Sequence, residues 1–210
     1  MSYYAVAKGE NIGIYHTWKE CQQQIKGFKG AKFKKFTHED DAKRFIEEHN
    51  NIQVEIIEPR DPDYYVYTDG ACSNNGNEKA IAGIGVYFGN NDSRNVSKQI
   101  LGKPTNNVAE LTAIIEACEI IKNDLKNGKT ITIVSDSNYS ILCATSYGKK
   151  NALLNWKKDI PNKELVKILF EFVSTYTNLY FQYIQAHTTN DDVHSIGNRH
   201  ADLLATSPLH

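Results

Sequence analysis

The sequence predicts an α/β protein whose main domain is a mixed five-stranded sheet with flanking helices, preceded by a small α+β domain with three strands. Short apolar runs bounded by turn residues alternate with segments of helical periodicity. The order of these segments changes at EPRDPD, a charged stretch with two prolines that marks a domain boundary. The chain has 210 residues, 40% of them hydrophobic, which is enough for one or two ordinary globular cores.

The first fifty residues have the order strand, strand, helix, strand, helix. The three strands are YYAVAKG, GIYHT and AKFKKFT, and the helices are TWKECQQQIKG and HEDDAKRFIEEHN. We therefore assign residues 1–50 to a small α+β domain and residues 51–62 to a short linker. Within that linker, IQVEII can still pair as an edge strand.

Residues 63–210 form the second predicted domain. The strands DYYVYTDGA and KAIAGIGVYFG flank an Asn/Gly-rich turn that is typical of a hairpin, and NVSKQIL extends the sheet. A long helix follows, and Gly128 ends it. The strand TITIVSDS comes after this helical crossover, as expected of a buried strand in a mixed sheet. Further helices are predicted in NYSILCATSYG and NKELVKILFEFVSTY, then a strand in LYFQYIQAH and a last helix starting near Asn198.

Composition excludes some classes of protein. No apolar run approaches the roughly 20 residues of a membrane span, and the N-terminus resembles no export or transit signal, so we expect an intracellular protein of cytoplasm or nucleus. Four scattered cysteines without a CxxC pair predict reduced thiols. Although the net charge is only −1, five lysines and no acidic residue lie between Cys21 and His38. Positive charge is therefore local.

Four carboxylates end or flank apolar elements. Asp69 and Asp136 each end a strand, whereas Glu110 and Asp202 lie in helices. Singly, each is typical of a turn or of a solvated helix end. If the two strands are parallel neighbours, Asp69 and Asp136 emerge at the same sheet edge. Clustered carboxylates need shared protons or cations, and oxygen ligands favour Mg²⁺, for which Mn²⁺ can substitute. Two such ions about 4 Å apart would suit phosphodiester hydrolysis.

The stretch QAHTTNDDVHSIGNRHAD holds three histidines, His187, His194 and His200, among three aspartates. Their separations of seven and six residues differ from the three or four of a helical zinc pair. The spacing therefore argues against a simple zinc site.

The motifs TDGACSNNG, TNNVAEL, IVSDS and GNRHAD, in this order, resemble the four motifs of type 1 ribonuclease H, enzymes that cut the RNA strand of an RNA/DNA hybrid. YYAVAKG, GIYHTW and AKFKKF resemble the hybrid-binding domain that precedes many such catalytic domains. The resemblance covers nearly the whole chain and implies a ribonuclease H-like fold. It also implies an endonuclease with two Mg²⁺ ions that leaves 5′-phosphate and 3′-hydroxyl ends.

By this resemblance, Asp69, Glu110, Asp136 and Asp202 are the catalytic metal ligands. His187 corresponds to a catalytic histidine that helps product leave by moving a proton or a metal. The loop after it is longer than usual in the family, so His194 is an alternative for this role.

The resemblance also implies contacts to the substrate. The residues implied to read RNA 2′-hydroxyls are Asn75, Asn106 and Asn107. Those implied to grip a DNA phosphate are Lys103, Thr105 and Asn162. A basic protrusion is implied by Trp156 with Lys149, Lys150, Lys157 and Lys158. Thr105 and Asn106 are equally competent helix caps, and a solvated lysine face is the alternative for the protrusion.

In the N-terminal module, three aromatic residues are implied to pack on DNA sugars and two lysines to contact phosphates. They are Tyr4, Trp18, Phe33, Lys34 and Lys35. Core positions remain an alternative for Trp18 and Phe33.

The implied partner is an RNA/DNA hybrid, with double-stranded RNA as a second ligand of the N-terminal domain, no membrane, and a monomeric state. Two other hypotheses remain. One is a hybrid-binding or double-stranded-RNA-binding protein that uses the catalytic fold as a platform. The other is the ribonuclease H part of a retroelement polyprotein.

Overall fold

A computed structural model describes residues 2–49, 62–75, 77, 79–102, 104–186 and 189–209. The chain divides into two compact units, Met1–Val54 and Glu55–His210. The predicted linker, with its possible edge strand IQVEII, lies outside the described residues apart from Pro62. The domain boundaries within it therefore stay a prediction.

The N-terminal unit is the predicted three-stranded α+β domain. Its antiparallel sheet has the order β2-β1-β3. Thr17 and Glu20 form a capping box that starts the first helix, each side chain accepting a hydrogen bond from the other's backbone N–H. The elements are β1 (Tyr3–Lys8), β2 (Gly13–Tyr15), α1 (Trp18–Ile25), β3 (Lys32–Phe36) and α2 (Glu39–His49).

The C-terminal unit is the predicted mixed sheet, with strand order β6-β5-β4-β7-β8. β4, β5 and β6 are antiparallel neighbours, whereas β7 is parallel to both β4 and β8. The strands are β4 (Tyr64–Ser73), β5 (Ile81–Tyr87), β6 (Val96–Ile100), β7 (Ile131–Ser135) and β8 (Leu179–Tyr183). The helices are α3 (Asn106–Lys126), α4 (Asn138–Ala144), α5 (Ser146–Leu153), α6 (Lys163–Val173) and α7 (Val193–Thr206), with a short 3₁₀ turn at Ser207–Leu209.

Two helices lie on opposite faces of this sheet and approach it closely. A Cβ added to Gly70 would overlap the α3 backbone, and one added to Gly85 would overlap the backbone of α7 at Ala201. Gly85 pairs with Asp69 and therefore faces the same side of the sheet as Asp69. Gly70 is the next residue on β4 and faces the opposite side, because successive strand residues alternate. The apolar stripe of α3, including the fully buried Leu111, faces the main core.

Two predicted helices differ from those observed. The last helix starts at Val193 rather than near Asn198, because the Asp192 carboxylate accepts hydrogen bonds from the backbone N–H groups of His194 and Ser195, both at 3.0 Å. The segment NYSILCATSYG does not form one helix. It is divided between α4 and α5 at Thr145, whose φ of −121° and ψ of −107° leave the helical region.

Two expectations from composition can be compared with the structure. All four cysteines are free thiols, as predicted. None of the described helices combines the length and the apolar character needed to cross a bilayer.

Candidate active site

Three of the four predicted carboxylates meet at one edge of the sheet. The oxygen atoms that Asp69, Glu110 and Asp136 offer as ligands all lie within 4.8 Å of one another. Asp69 and Glu110 are each only 7% exposed. Carboxylates this close repel one another unless protons or cations intervene. The group therefore has the composition and spacing of a site for a hard cation.

Strand register explains why the two aspartates are neighbours. Thr68 on β4 pairs with Ser135 on the parallel strand β7, so the next residues, Asp69 and Asp136, emerge side by side. The turn at Asp136 is held by the Ser135 hydroxyl, which accepts a hydrogen bond from the Ser137 N–H at 3.1 Å. The two strands are thus the parallel neighbours that this juxtaposition required, but the prediction that Asp69 ends its strand is wrong, because β4 continues to Ser73 in pairing with β5.

Gly70 explains how Glu110 reaches the same place from a helix. Any side chain at this position would overlap the Glu110 N and the Ala109 C atoms. Because there is no Cβ, the second turn of α3 packs directly on β4 beside Asp69. No role was predicted for Gly70, although a glycine inside a strand is a usable signal for close approach of another element.

Asp202 lies on α7, on the other face of the sheet. The residue before it, Ala201, has its carbonyl oxygen in contact with Gly85. Gly85 is in turn the strand partner of Asp69. The Asp202 carboxylate is not in the group of three, so its metal-binding role stays a prediction. Four residues earlier on the same helix face, Asn198 donates a hydrogen bond from Nδ2 to Asp136 Oδ2 at 2.9 Å. No role was predicted for Asn198, although its spacing of four residues from Asp202 places both on one face of a helix.

His194 packs against two tyrosines of β4. Its ring meets Tyr65 edge-on at 4.7 Å between centroids, and its Nδ1 lies 3.3 Å from the Tyr67 hydroxyl. Burial raises the pKa of Tyr67 to about 12, so this hydroxyl keeps its proton at neutral pH. Asp69 lies four residues beyond Tyr65 and two beyond Tyr67 along the strand, about 13 Å and about 7 Å at about 3.3 Å per residue. His187 lies outside the described residues.

The predicted RNA contacts lie at the ends of the two elements that carry Asp69 and Glu110. Asn106 and Asn107 are the first residues of α3, and Asn75 follows the end of β4. The Thr105 hydroxyl accepts a hydrogen bond from the Val108 N–H at 3.2 Å, so Thr105 is the N-cap of α3. The capping alternative is therefore confirmed for Thr105.

The remaining predicted substrate contacts differ in their surroundings. Asn162 has a left-handed backbone with φ of 55°, and its Nδ2 donates to the Tyr139 hydroxyl at 3.2 Å. The Trp156 ring is partly buried and meets Phe170 edge-on at 6.3 Å. Lys103 lies outside the described residues. The lysines of the predicted protrusion are all exposed: Lys149, Lys150, Lys157 and Lys158.

The N-terminal unit presents a row of aromatic rings. Trp18 lies 5.8 Å from Tyr4 and 5.7 Å from Phe33 between ring centroids. Trp18 is 44% exposed and Phe33 is 42% exposed, so the alternative that they are core residues is wrong. The Lys35 ammonium lies 5.5 Å from the Tyr4 ring, whereas Lys34 lies on the other face of β3.

The sheet, the two closely packed helices and the carboxylate group define a class of metal-dependent nuclease, and comparison with known proteins identifies its family. Residues 61–209 match the family model described as RNase H, and residues 2–46 match the one described as Ribonuclease H1 N-terminal domain. The chain therefore belongs to the ribonuclease H family. It is a ribonuclease H with an N-terminal hybrid-binding domain, an enzyme of the kind that cuts the RNA strand of an RNA/DNA hybrid.

Individual relatives agree with this assignment. The chain is 32% identical to the ribonuclease H of Schizosaccharomyces pombe, over 97% of this chain and 96% of the relative. It is 30% identical to human ribonuclease H1, over 97% of this chain and 87% of the human protein. It also resembles the solution structure of the PFV RNase H domain, with a TM-score of 0.53, 24% identity, and coverage of 70% of this chain and 93% of that one. That last likeness supports the fold alone.

Proposed function

We propose that this ribonuclease H hydrolyses the RNA strand of RNA/DNA hybrids by two-metal-ion catalysis, leaving 5′-phosphate and 3′-hydroxyl ends. Mg²⁺ is the proposed ion, and Mn²⁺ can replace it. The observation that carries the proposal is the group formed by Asp69, Glu110 and Asp136, whose oxygens lie within 4.8 Å of one another. Such all-oxygen donor sets suit hard divalent cations.

The proposed metal ligands are Asp69, Glu110, Asp136 and Asp202. When bound, the cations supply an activated water and stabilise the leaving oxygen of the phosphodiester. The chain's own contribution is to hold the carboxylates at fixed positions on β4, α3, β7 and α7. The close packing of α3 on Gly70 and of α7 on Gly85 supports this, because direct contact with the strand backbone sets how near each helix lies to the sheet.

His187 is the proposed shuttle that helps product leave. The surroundings of His194 support this choice, because that ring is packed against Tyr65 and paired with the Tyr67 hydroxyl. We assign His194 to the stability of α7 instead.

Choice of the RNA strand is proposed to depend on Asn75, Asn106 and Asn107, which contact 2′-hydroxyl groups of RNA. The position of Asn106 and Asn107 at the start of α3, four and three residues before Glu110, supports this. Thr105 caps the same helix, whose N-terminal N–H groups are suited to a phosphate. Lys103 and Asn162 complete the proposed phosphate pocket.

The basic protrusion is proposed to bind the DNA strand, with exposed lysines meeting phosphates. The partly buried Trp156 offers only the exposed part of its ring for a contact with a DNA sugar. In the N-terminal unit, Tyr4, Trp18 and Phe33 are proposed to pack on DNA sugars, and Lys34 and Lys35 to contact phosphates. We further propose that this unit also binds double-stranded RNA and that the enzyme is a monomer.

Asp136→Asn tests the site assignment. It keeps the shape of the side chain but removes a charged ligand, so cleavage of a labelled hybrid in Mg²⁺ should fall below detection while hybrid binding by fluorescence anisotropy persists. Glu119→Gln is the matched control, because it removes one carboxylate charge from the exposed side of α3. Cleavage that survives in Asp136→Asn would exclude the proposed site.

The product ends test the reaction itself. We expect RNA fragments that a ligase joins without prior phosphorylation, since each would carry a 5′-phosphate and a 3′-hydroxyl. Fragments that require kinase treatment or end in a 3′-phosphate would contradict the proposed reaction.

A further inference from the structure

A buried asparagine on α7 is in direct contact with the carboxylate group. Asn198 is only 5% exposed, and its Nδ2 donates to Asp136 Oδ2 at 2.9 Å. Its Oδ1 is buried as well, and it has no hydrogen-bond partner among the described residues. A buried polar atom in this state is costly and calls for a ligand.

The packing of α7 fixes where this amide lies. On one side of it, a Cβ added to Gly197 would overlap the Tyr67 ring. On the other side, the Ala201 carbonyl is in contact with Gly85. The backbone of Asn198 is therefore held between two close contacts, which keep its side chain within hydrogen-bonding reach of Asp136.

The chemistry of an amide suits a position next to a metal ligand. An amide donor can orient one oxygen of the Asp136 carboxylate and leave the other oxygen available to a cation. A lysine or arginine in its place would do the same but would compete with the cation through its own charge. Groups that hydrogen-bond to metal ligands usually serve to orient them.

The unpartnered Oδ1 adds a second function. Mg²⁺ gives up its water ligands reluctantly and usually keeps several of them in a protein site. Such waters donate hydrogen bonds to nearby acceptors. The Asn198 Oδ1 is a neutral, buried acceptor on the same amide that holds Asp136.

We infer that Asn198 is a positioning residue of the metal site: its Nδ2 fixes the Asp136 carboxylate, and its Oδ1 accepts a hydrogen bond from a water on the bound cation. This inference rests on the proposed metal-dependent function. It assigns Asn198 no contact with the reacting phosphodiester.

The test compares Asn198→Ala and Asn198→Leu with the wild-type enzyme. Mn²⁺ binding is measured without substrate by electron paramagnetic resonance, and cleavage is measured as a function of Mg²⁺ concentration. Loss of a group that orients a metal ligand typically weakens metal affinity by about 10- to 100-fold. We expect a loss of this size in both variants, with kcat largely restored by excess Mg²⁺ and KM for the hybrid unchanged.

The control is Asn151→Ala in α5. Asn151 is 3% exposed, and its Nδ2 donates to the Tyr147 carbonyl at 2.9 Å, so truncation removes an equally buried amide away from the carboxylates. It should lower stability to urea but leave the Mn²⁺ affinity as in the wild type. If alanine at position 198 prevents folding, leucine, which has the branched shape of asparagine without its polar atoms, carries the test.

The outcomes separate the two proposals. Mn²⁺ binding as tight in both Asn198 variants as in the wild type would overturn the inference and leave Asn198 a packing residue. Wild-type enzyme that binds no Mn²⁺ would instead overturn the proposed metal-dependent function. Weaker Mn²⁺ binding in the Asn198 variants but not in Asn151→Ala would support the inference.

Discussion

Gly70→Ala tests whether the close approach of α3 to β4 places Glu110 in the site. The added Cβ would lie 2.7 Å from Glu110 Cα and closer still to two other backbone atoms of α3. Because carbon atoms pack at roughly 3.5–4.0 Å, the start of α3 must recede by about 1 Å. Overpacking of this kind costs about 1–3 kcal/mol of unfolding free energy. A displacement of about 1 Å in a catalytic group can lower the rate about 100-fold.

The assay combines urea unfolding with single-turnover cleavage of a hybrid at saturating enzyme and Mg²⁺. Gly13→Ala is the matched control. The atom nearest to its added Cβ would be the Tyr15 hydroxyl oxygen at 3.6 Å, which is an ordinary contact distance. The control should stay within about 0.5 kcal/mol of the wild type in stability. If Gly70→Ala cleaves within about threefold of the wild-type rate, the placement of Glu110 does not depend on this contact.

Three further predictions follow from the two units. Trp18→Ala combined with Lys35→Ala should weaken hybrid binding, with little change in single-turnover cleavage at saturating enzyme, because the substitutions lie in the N-terminal unit. His187→Ala should slow multiple turnover, whereas His194→Ala should mainly lower stability, because its ring packs between two tyrosines of β4. Tyr64→Phe should lower the unfolding free energy by about 1–3 kcal/mol in urea, because it removes a 2.6 Å hydrogen bond to an α3 carboxylate.

Each of these has an outcome that would contradict it. A large loss of single-turnover rate in the Trp18 and Lys35 variant would mean that the N-terminal unit shapes the catalytic site. Slow turnover in His194→Ala but not in His187→Ala would mean that His194, rather than His187, helps product leave. Unchanged stability in Tyr64→Phe would show that its hydroxyl is equally well satisfied by water.

The meeting of Asp69 and Asp136 could largely be predicted from the sequence, because parallel pairing follows from the helical crossover, although the apolar run ends at Asp69 while β4 continues to Ser73. Asp69 and Asp136 thus had to emerge at one edge once β4 and β7 were neighbours. Asn198 could not be predicted in the same way. Its hydrogen bond depends on how closely α7 packs on the sheet, which is set by contacts with Gly85 and Tyr67, both far from Asn198 along the chain.

The limits of the two mispredicted helices have separate causes. The start of α7 at Val193 depends on the Asp192 cap, and an aspartate three residues before Ser195 in a polar loop is equally typical of a turn. The break at Thr145 has no local signal, because neither glycine nor proline lies there. We infer that packing of α4 and α5 against α6, rather than local preference, divides that segment.

The partial burial of Trp156 is another effect of tertiary structure. In the sequence, a lone tryptophan among lysines indicates an exposed binding residue. In the fold, its backbone turns through a left-handed conformation with φ of 54°, and the ring packs on Phe170 of α6. A sequence pattern cannot specify which face of such a turn is covered.

The central claim is that the carboxylate group binds two cations at the RNA strand of a hybrid. A crystal structure of the wild-type enzyme with an RNA/DNA hybrid and Ca²⁺, which occupies Mg²⁺ sites without supporting efficient cleavage, tests it most directly. We predict two cations, both held by oxygens from Asp69, Glu110, Asp136 and Asp202, with an RNA phosphate between them. A hybrid bound with its DNA strand at these carboxylates, or with no cation there, would contradict the account.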